Sequence, residues 1–288
     1  MKILFITNSY PSENLPVAGY LQDIAVELVH QGHEVRVLVH SDSNKPKQFK
    51  TNGVEVIEYP ISIFWTPRLY KHTEIIASLK RSVLAWVELF LSFINSFFYL
   101  RKYAKDCDIV HAVWYLPSGL VASLGNVSFK KPFVVTALGA EFHLPENPVF
   151  KTLLRYVHRS SNAATANSRY LIKKAYNYQL SMDHFSYIPT AINFEGYPDR
   201  KPETKKKLVI ASICRLIPAK RAQDLIEAIA LLPSEIAKEI EIWVVGDGPE
   251  KSRLMDLTRA RNLDSQTRFL GMIPHNHSVG FGSHHAYV

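Results

Sequence analysis

The chain is poor in cysteine, with two, Cys107 and Cys214, among 288 residues. Two thiols staple no secreted scaffold and build no zinc cluster. A reducing, cytoplasmic setting is therefore expected. The G-x-G-x-x-G fingerprint is missing after the first strand-like segment, which argues against a nicotinamide or flavin enzyme. No cleavable leader pattern opens the chain; Met1-Lys2-Ile3-Leu4-Phe5-Ile6 reads as a buried strand. A concentrated basic arm is also lacking. The formal charge is +8, but residues 1–199 carry 20 basic and 16 acidic side chains and residues 200–288 carry 14 and 10. An excess spread this evenly disfavours nucleic acid as a partner and suits small anionic ligands or an anionic membrane face.

What is present is an ordinary globular composition, 47% hydrophobic and 21% charged, long enough for two domains. Apolar runs alternate with amphipathic ones. Strands are expected near 2–8, 34–40, 53–58, 108–113, 132–137, 162–166 and 185–188. Helices are expected near 20–31, 116–124, 148–158 and 168–177. In the first helix, Leu21, Ile24, Ala25 and Leu28 make the i, i+3, i+4, i+7 stripe, and Gly32 stops it. This alternation predicts an α/β fold with a doubly wound parallel sheet over 1–195. A polar linker with Pro198 and Pro202 follows at 196–207. A second α/β pattern covers 208–273, with strands at 208–213, 240–245 and 267–270 and helices at 221–232 and 250–261. Residues 274–288 have no charged side chain and read as an irregular tail, despite His275, His277, His284 and His285.

The stretch 82–100 holds thirteen large apolar or aromatic residues. At ~1.5 Å per residue it just reaches across a hydrocarbon core. Glu88, Ser92, Asn95 and Ser96, at i, i+4, i+7 and i+8, put one narrow polar stripe along it. A packed helix, a membrane-surface helix and a true span all remain open, and peripheral membrane contact through 82–100 is one expectation. Lys80, Arg81, Arg101 and Lys102 flank both ends, so they set no topology.

Several loops at expected strand ends carry polar chemistry. Gly19, at a helix N-terminus, either turns the chain or admits an anion to free amides. Asp106 and Asp108 either ligate a metal or shape the turn before a strand. Thr136-Ala137-Leu138-Gly139-Ala140-Glu141-Phe142-His143 follows a strand at the end where open α/β sheets bind ligands. Glu141 and His143 there suit acid–base work, or are ordinary loop residues. Arg215 and Lys220 fall between the first strand and first helix of the second pattern. Two cations near a helix N-terminus suit a diphosphate. Val244-Val245-Gly246-Asp247-Gly248-Pro249-Glu250 reads as strand, turn and helix start.

Taken in order, these segments resemble the retaining family-four glycosyltransferases of GT-B architecture. The resemblance is carried by Tyr10-Pro11 with Gly19, Gln31-Gly32-His33-Glu34-Val35, Asp108-Ile109-Val110-His111-Ala112, Val135-Thr136-Ala137-Leu138-Gly139-Ala140-Glu141, Ala166-Asn167-Ser168 and Ile188-Pro189-Thr190-Ala191-Ile192-Asn193. It continues through Arg215-Leu216-Ile217-Pro218-Ala219-Lys220, Val245-Gly246-Asp247-Gly248-Pro249 and Arg268-Phe269-Leu270-Gly271-Met272-Ile273. It implies two Rossmann-like domains facing a cleft and transfer of a sugar from a nucleotide-diphospho-sugar to a glycan or lipid-linked acceptor, with retention, in surface polysaccharide biosynthesis. Arg215, Lys220 and Gly19 would bind the donor diphosphate. Gly271 and Met272 would lie beside the nucleobase, and His111 and Gly139 on the acceptor side. No metal or other cofactor is implied.

The sequence departs from the family pattern in places. Leu138 stands where the family usually has a histidine before its glycine, Thr190-Ala191 where it has Asn-Gly, and Arg221 where a glycine often follows the lysine. The family also continues past Phe269-Leu270-Gly271 into elements bearing a pair of glutamates. Here the pattern leaves off near His275, so an incomplete second domain, from a truncated or frameshifted product, is expected. A non-catalytic binding remnant and a GT-B sugar-nucleotide epimerase are the alternatives.

Overall fold

The computed structural model describes residues 1–11, 19–41, 43–62, 79, 82–143, 148–190, 207–273 and 286–287. The chain divides into two compact units, Met1–Ile192 and Asn193–Val288. The linker expected at 196–207 lies, except for its last residue, outside the described residues, as do the four tail histidines.

The first unit is built on one eight-stranded sheet, ordered β3-β4-β2-β1-β5-β6-β7-β8. Its strands are β1 (Lys2–Ile6), β2 (Glu34–Ser41), β3 (Lys47–Thr51), β4 (Val54–Pro60), β5 (Ile109–Val113), β6 (Phe133–Ala137), β7 (Ala163–Ala166) and β8 (Phe185–Tyr187). Every pairing is parallel except β3 with β4. Side chains alternate across each strand, so β1 feeds two cores. Ile3 and Phe5 join Val35, Val37, Val39, Val54 and Val56 beneath α1 (Gly19–His30), which contributes Leu21 and Ala25. Leu4 and Ile6 join Leu38, Ile57 and Tyr59 on the other face. That face is covered by α2 (Val83–Ala104), α3 (Leu120–Phe129), α4 (Pro148–Ser160) and α5 (Arg169–Ala175), which bury Leu100, Val121, Leu154, Val157 and Leu171. Ser168 caps α5, its Oγ accepting the Leu171 N–H at 3.2 Å.

The chain thus runs outward from β1 to β2 and β4, then returns to β5 and runs out the other way. The order reverses between β1 and β5, and that reversal opens the crevice at which doubly wound sheets bind ligands.

Two local features differ from the sequence reading. The antiparallel β3 was not foreseen: its Lys-Gln-Phe-Lys-Thr is polar and mostly exposed, as an edge strand tolerates. Regular helix was expected from residue 116 but begins at Leu120, after a turn over Tyr115–Gly119 in which Leu116 is extended and Pro117 follows.

The second unit holds β9 (Leu208–Ile213), α6 (Gln223–Ala230), β10 (Ile240–Val245), α7 (Lys251–Ala260) and β11 (Thr267–Gly271). Ile226, Ile229, Ile242, Val244 and Leu254 form its core. Ala286–Tyr287, within the stretch expected to be irregular, adds β12 beside β9, giving a parallel sheet ordered β11-β10-β9-β12. Its partner β9 would otherwise leave its backbone groups unpaired on that side.

Candidate functional site

In the second unit, three loops at the C-terminal ends of β9, β10 and β11 are locked together. Cys214 and Leu216 donate their N–H groups to the carbonyls of Val245 and Asp247, at 3.0 and 2.9 Å, and Glu250 donates back to the Leu216 carbonyl at 3.0 Å. Gly246 donates to the Gly271 carbonyl at 2.7 Å. These bonds bring the backbones close enough to need glycine. Gly246 has φ +133°, and a Cβ there would overlap the Cys214 carbonyl oxygen; Gly248 has φ +156°, and a Cβ there would overlap the Leu216 carbonyl oxygen. The Asp247 carboxylate finishes the turn by accepting the Gly248 N–H at 2.7 Å and the Lys251 ammonium at 3.0 Å. Those two partners hold its pKa below the usual aspartate value.

Arg215 and Lys220 are exposed on this frame. Of the ten cations among the unit's described residues, six are engaged: Arg221 with Asp224, Lys251 with Asp247, Arg253 with Glu250, Arg259 with Asp256, Arg261 with Glu227, and Arg268 with Glu241. Among the described residues, Arg215 and Lys220 meet no carboxylate. They lie on the β9–α6 loop, and the N-cap of α6, Ala222, brings no side chain to the helix's first N–H groups. Two cations that meet no described carboxylate, placed beside a helix start, suit an anion. Arg221, which closes the turn Pro218–Lys220, has φ +52°, the left-handed region in which glycine is at ease. Met272 is exposed just past β11, beyond Gly271 at φ +71°.

In the first unit, the loops after β1 and β5 adjoin: the side chains of Asn8 and Ser118 approach to 3.5 Å. Glu141, only 3% exposed, reaches back under the loop after β6. Its carboxylate accepts the N–H groups of Gly139 at 2.9 Å, Leu138 at 3.2 Å and Tyr115 at 3.5 Å. Burial pushes its pKa up, and the N–H donors oppose that rise. Tyr20, in the first turn of α1 beside Gly19, is pushed up to about 12 by burial and by the charge of Glu141. Both carboxylate oxygens are thus occupied by backbone, so Glu141 braces the loops after β5 and β6 instead of facing solvent as a free acid or base. Gly139 sits on the braced loop at φ +112°.

His111 lies at the centre of β5. Its Nε2 shares a hydrogen bond with Thr136 Oγ at 2.6 Å, and Thr136 continues to Thr165 at 2.7 Å, a chain across three strands. Burial lowers its pKa to about 4, so the ring is neutral near pH 7. The side chain expected on the acceptor side is thus hydrogen-bonded to the neighbouring strand through Thr136. His143 closes a short turn over Ala140–His143, and its side chain lies outside the described residues. Asp108 accepts the Lys2 N–H at 2.7 Å, which fits the pre-strand turn. Trp114 was not anticipated. It follows β5 at φ +83°, an uncommon angle for a bulky residue, and its N–H is held by the Thr136 carbonyl at 3.0 Å.

Residues 17–191 match the glycosyl transferase 4-like domain and residues 193–280 the glycosyl transferases group 1 domain. The chain is 27% identical over 276 residues to a putative teichuronic acid biosynthesis glycosyltransferase, TuaC, of Bacillus subtilis, covering 88% of this chain and 67% of that one. It is 24% identical over 178 residues to an N-acetyl-alpha-D-glucosaminyl L-malate synthase of Bacillus anthracis, covering 58% of this chain and 46% of that one. The chain thus spans from under half to two-thirds of the length of these relatives. Among solved structures it resembles HepE of Anabaena in complex with UDP and glucose, with a TM-score of 0.70 at 15% identity, over 99% of this chain and 72% of that one. It also resembles the lipopolysaccharide outer core galactosyltransferase WaaB, with a TM-score of 0.60 at 16% identity, over 100% of this chain and 73% of that one. These likenesses show an α/β fold of the GT-B type, with Rossmann-like units.

Proposed function

The chain belongs to the glycosyl transferase 4-like family, and on that premise we propose that it takes part in moving a sugar from a nucleotide-diphospho-sugar to a glycan or lipid-linked acceptor, with retention, in cell-surface polysaccharide assembly. The observation that carries this reading is the pair of exposed cations, Arg215 and Lys220, on a loop locked by Gly246 and Gly248. As the glycosidic bond breaks, negative charge grows on the departing diphosphate. Cations already fixed there favour the transition state over the ground state. With that charge met by Arg215 and Lys220, the step calls for no metal. The backbone past Gly271 and the exposed Met272 are the nucleobase side. Gly139, on the loop braced by Glu141, belongs to the acceptor side. Both cysteines are free thiols, in keeping with a reducing, cytoplasmic setting.

HepE is a complex with UDP and glucose, which makes UDP-sugars the first donors to try. Calorimetric titration with UDP- and GDP-sugars tests the reading, and saturable binding is expected. Absence of heat at millimolar donor would overturn donor binding by this chain.

A further inference from the structure

Helix α2 is turned inside out relative to an ordinary surface helix. Its polar stripe faces the sheet. Asn95 Nδ2 donates to the carbonyls of Pro60 and Ile61, both at 3.0 Å. Ser96 Oγ donates to the Ser92 carbonyl at 2.6 Å and lies 2.9 Å from the Tyr59 hydroxyl. Ser92 Oγ meets His40 Nε2 at 3.3 Å, and Glu88 is 1% exposed. These bonds fasten the helix to β2 and to the end of β4. Its apolar side faces out: Val83 is 81% exposed, Trp86 58%, Phe90 66% and Phe98 61%, with Val87 between them. Val83, Val87, Phe90 and Phe98 stand at i, i+4, i+7 and i+15, close to one line along a helix of 22 residues.

The same side ends in positive charge. Arg101 continues that line, and Lys102 and Lys105 stand beside it, all exposed. Among the described residues none of the three meets a carboxylate; Lys102 lies over the Tyr103 ring at 5.1 Å. Between Val83 and Lys105 the sole acidic residue is the buried Glu88, and Asp106 follows at the helix end.

We propose that the outward face of α2 docks on an anionic lipid bilayer, the helix lying in the plane of the interface. Its aromatic residues would enter the headgroup–acyl boundary while Arg101, Lys102 and Lys105 meet lipid phosphates. Charge selects this occupant over a second copy of the chain, because the face offers no exposed carboxylate to pair with its own basic end. A membrane span is disfavoured by the polar stripe, which would have to leave its partners on the sheet and enter hydrocarbon. The inference does not depend on the donor site.

The test is flotation of the full chain with vesicles of phosphatidylcholine alone or with roughly a third phosphatidylglycerol. The chain should float with the anionic vesicles, stay down with the neutral ones, and be released by high salt or alkaline carbonate. Phe90→Glu with Phe98→Glu should abolish flotation without moving the thermal midpoint, since both side chains project outward. Lys102→Gln and Lys105→Gln should each weaken binding about five-fold. If the phenylalanine variant fails to fold, the two lysine variants decide, with Trp86→Phe: vesicle addition should blue-shift the emission of the parent chain and not of that variant. Failure to float with anionic vesicles overturns the proposal. So does retention through alkaline carbonate, which means a span, or a dimer that Phe90→Glu converts to monomer, which means a second copy covers the face.

Discussion

Removing Arg215 should separate binding from stability. The guanidinium is exposed and, among the described residues, engages no carboxylate, so Arg215→Ala is expected to change unfolding free energy by less than about 0.5 kcal/mol. If it clasps a donor diphosphate, it forfeits charge-assisted hydrogen bonds worth about 1.5–3 kcal/mol, a rise in Kd of roughly ten- to 150-fold. Lys220→Ala should fall at the lower end of that range, because an ammonium is a point charge without a two-pronged grip. The double variant should lose less than the sum, since both act on one diphosphate. Lys238→Ala is the control. Lys238 is also an exposed cation, but it precedes β10 and so lies at the opposite end of the sheet from the β9–α6 loop. Titrations with UDP and a UDP-sugar at two salt concentrations, beside urea unfolding of each variant, read both quantities. Equal weakening by Arg215→Ala and Lys238→Ala would mean diffuse electrostatic attraction, and unchanged affinity in Arg215→Ala would remove the clamp.

Gly246→Ala should cost stability and donor affinity together, by about 2 kcal/mol or more in unfolding, because φ +133° is strained for alanine and its Cβ overlaps the Cys214 carbonyl. Gly271→Ala, at φ +71° with nothing within 4 Å, should cost only about 1–2 kcal/mol; equal losses in urea unfolding would refute the loop packing. Arg221→Gly relieves a left-handed arginine at φ +52° and forfeits an exposed pair with Asp224 at 2.7 Å, so a small gain of about 0.5 kcal/mol is expected, and a clear loss in midpoint would contradict it. His111 and His158 have pKa values lowered by burial from 6.5 to about 4, His158 also by repulsion from His184. The unfolded chain binds these protons first, so stability should be full above about pH 6.5 and fall towards pH 4. The raised carboxyl of Glu141 acts oppositely, gaining stability as pH falls. A urea midpoint that rises between pH 7 and pH 5 would contradict the role given to the buried histidines.

The parallel strands other than β12 were legible because a parallel strand covered on two faces is largely apolar, and Ile-Leu-Phe-Ile or Ile-Glu-Ile-Trp-Val-Val admits few other fates. The cations were legible for a related reason: two helical patterns with short gaps force residues 214–222 to the strand's C-terminal end. β3 escaped because an edge strand need not be apolar, although Asn52-Gly53, at φ +48° and +82°, was a readable hairpin signal. In α2 the polar stripe was visible at helical spacing, but its direction was not. Polarity alone turns Ser92, Asn95 and Ser96 towards water. What turns them inward are acceptors far off in the chain, the carbonyls of Pro60 and Ile61 and the Tyr59 hydroxyl. Glu141 misled in the same way. Carboxylates are seldom fully buried, so one placed two residues after a loop glycine reads as solvent-facing chemistry. Its burial becomes tolerable only where N–H groups from two separate loops converge on it, and Tyr115 stands 26 residues away. Hydrophobic periodicity reports what a segment can bury; it is silent on which distant donors will satisfy a polar atom. That is why the frame of this site could be read ahead of the structure, and the duty of Glu141 within it could not.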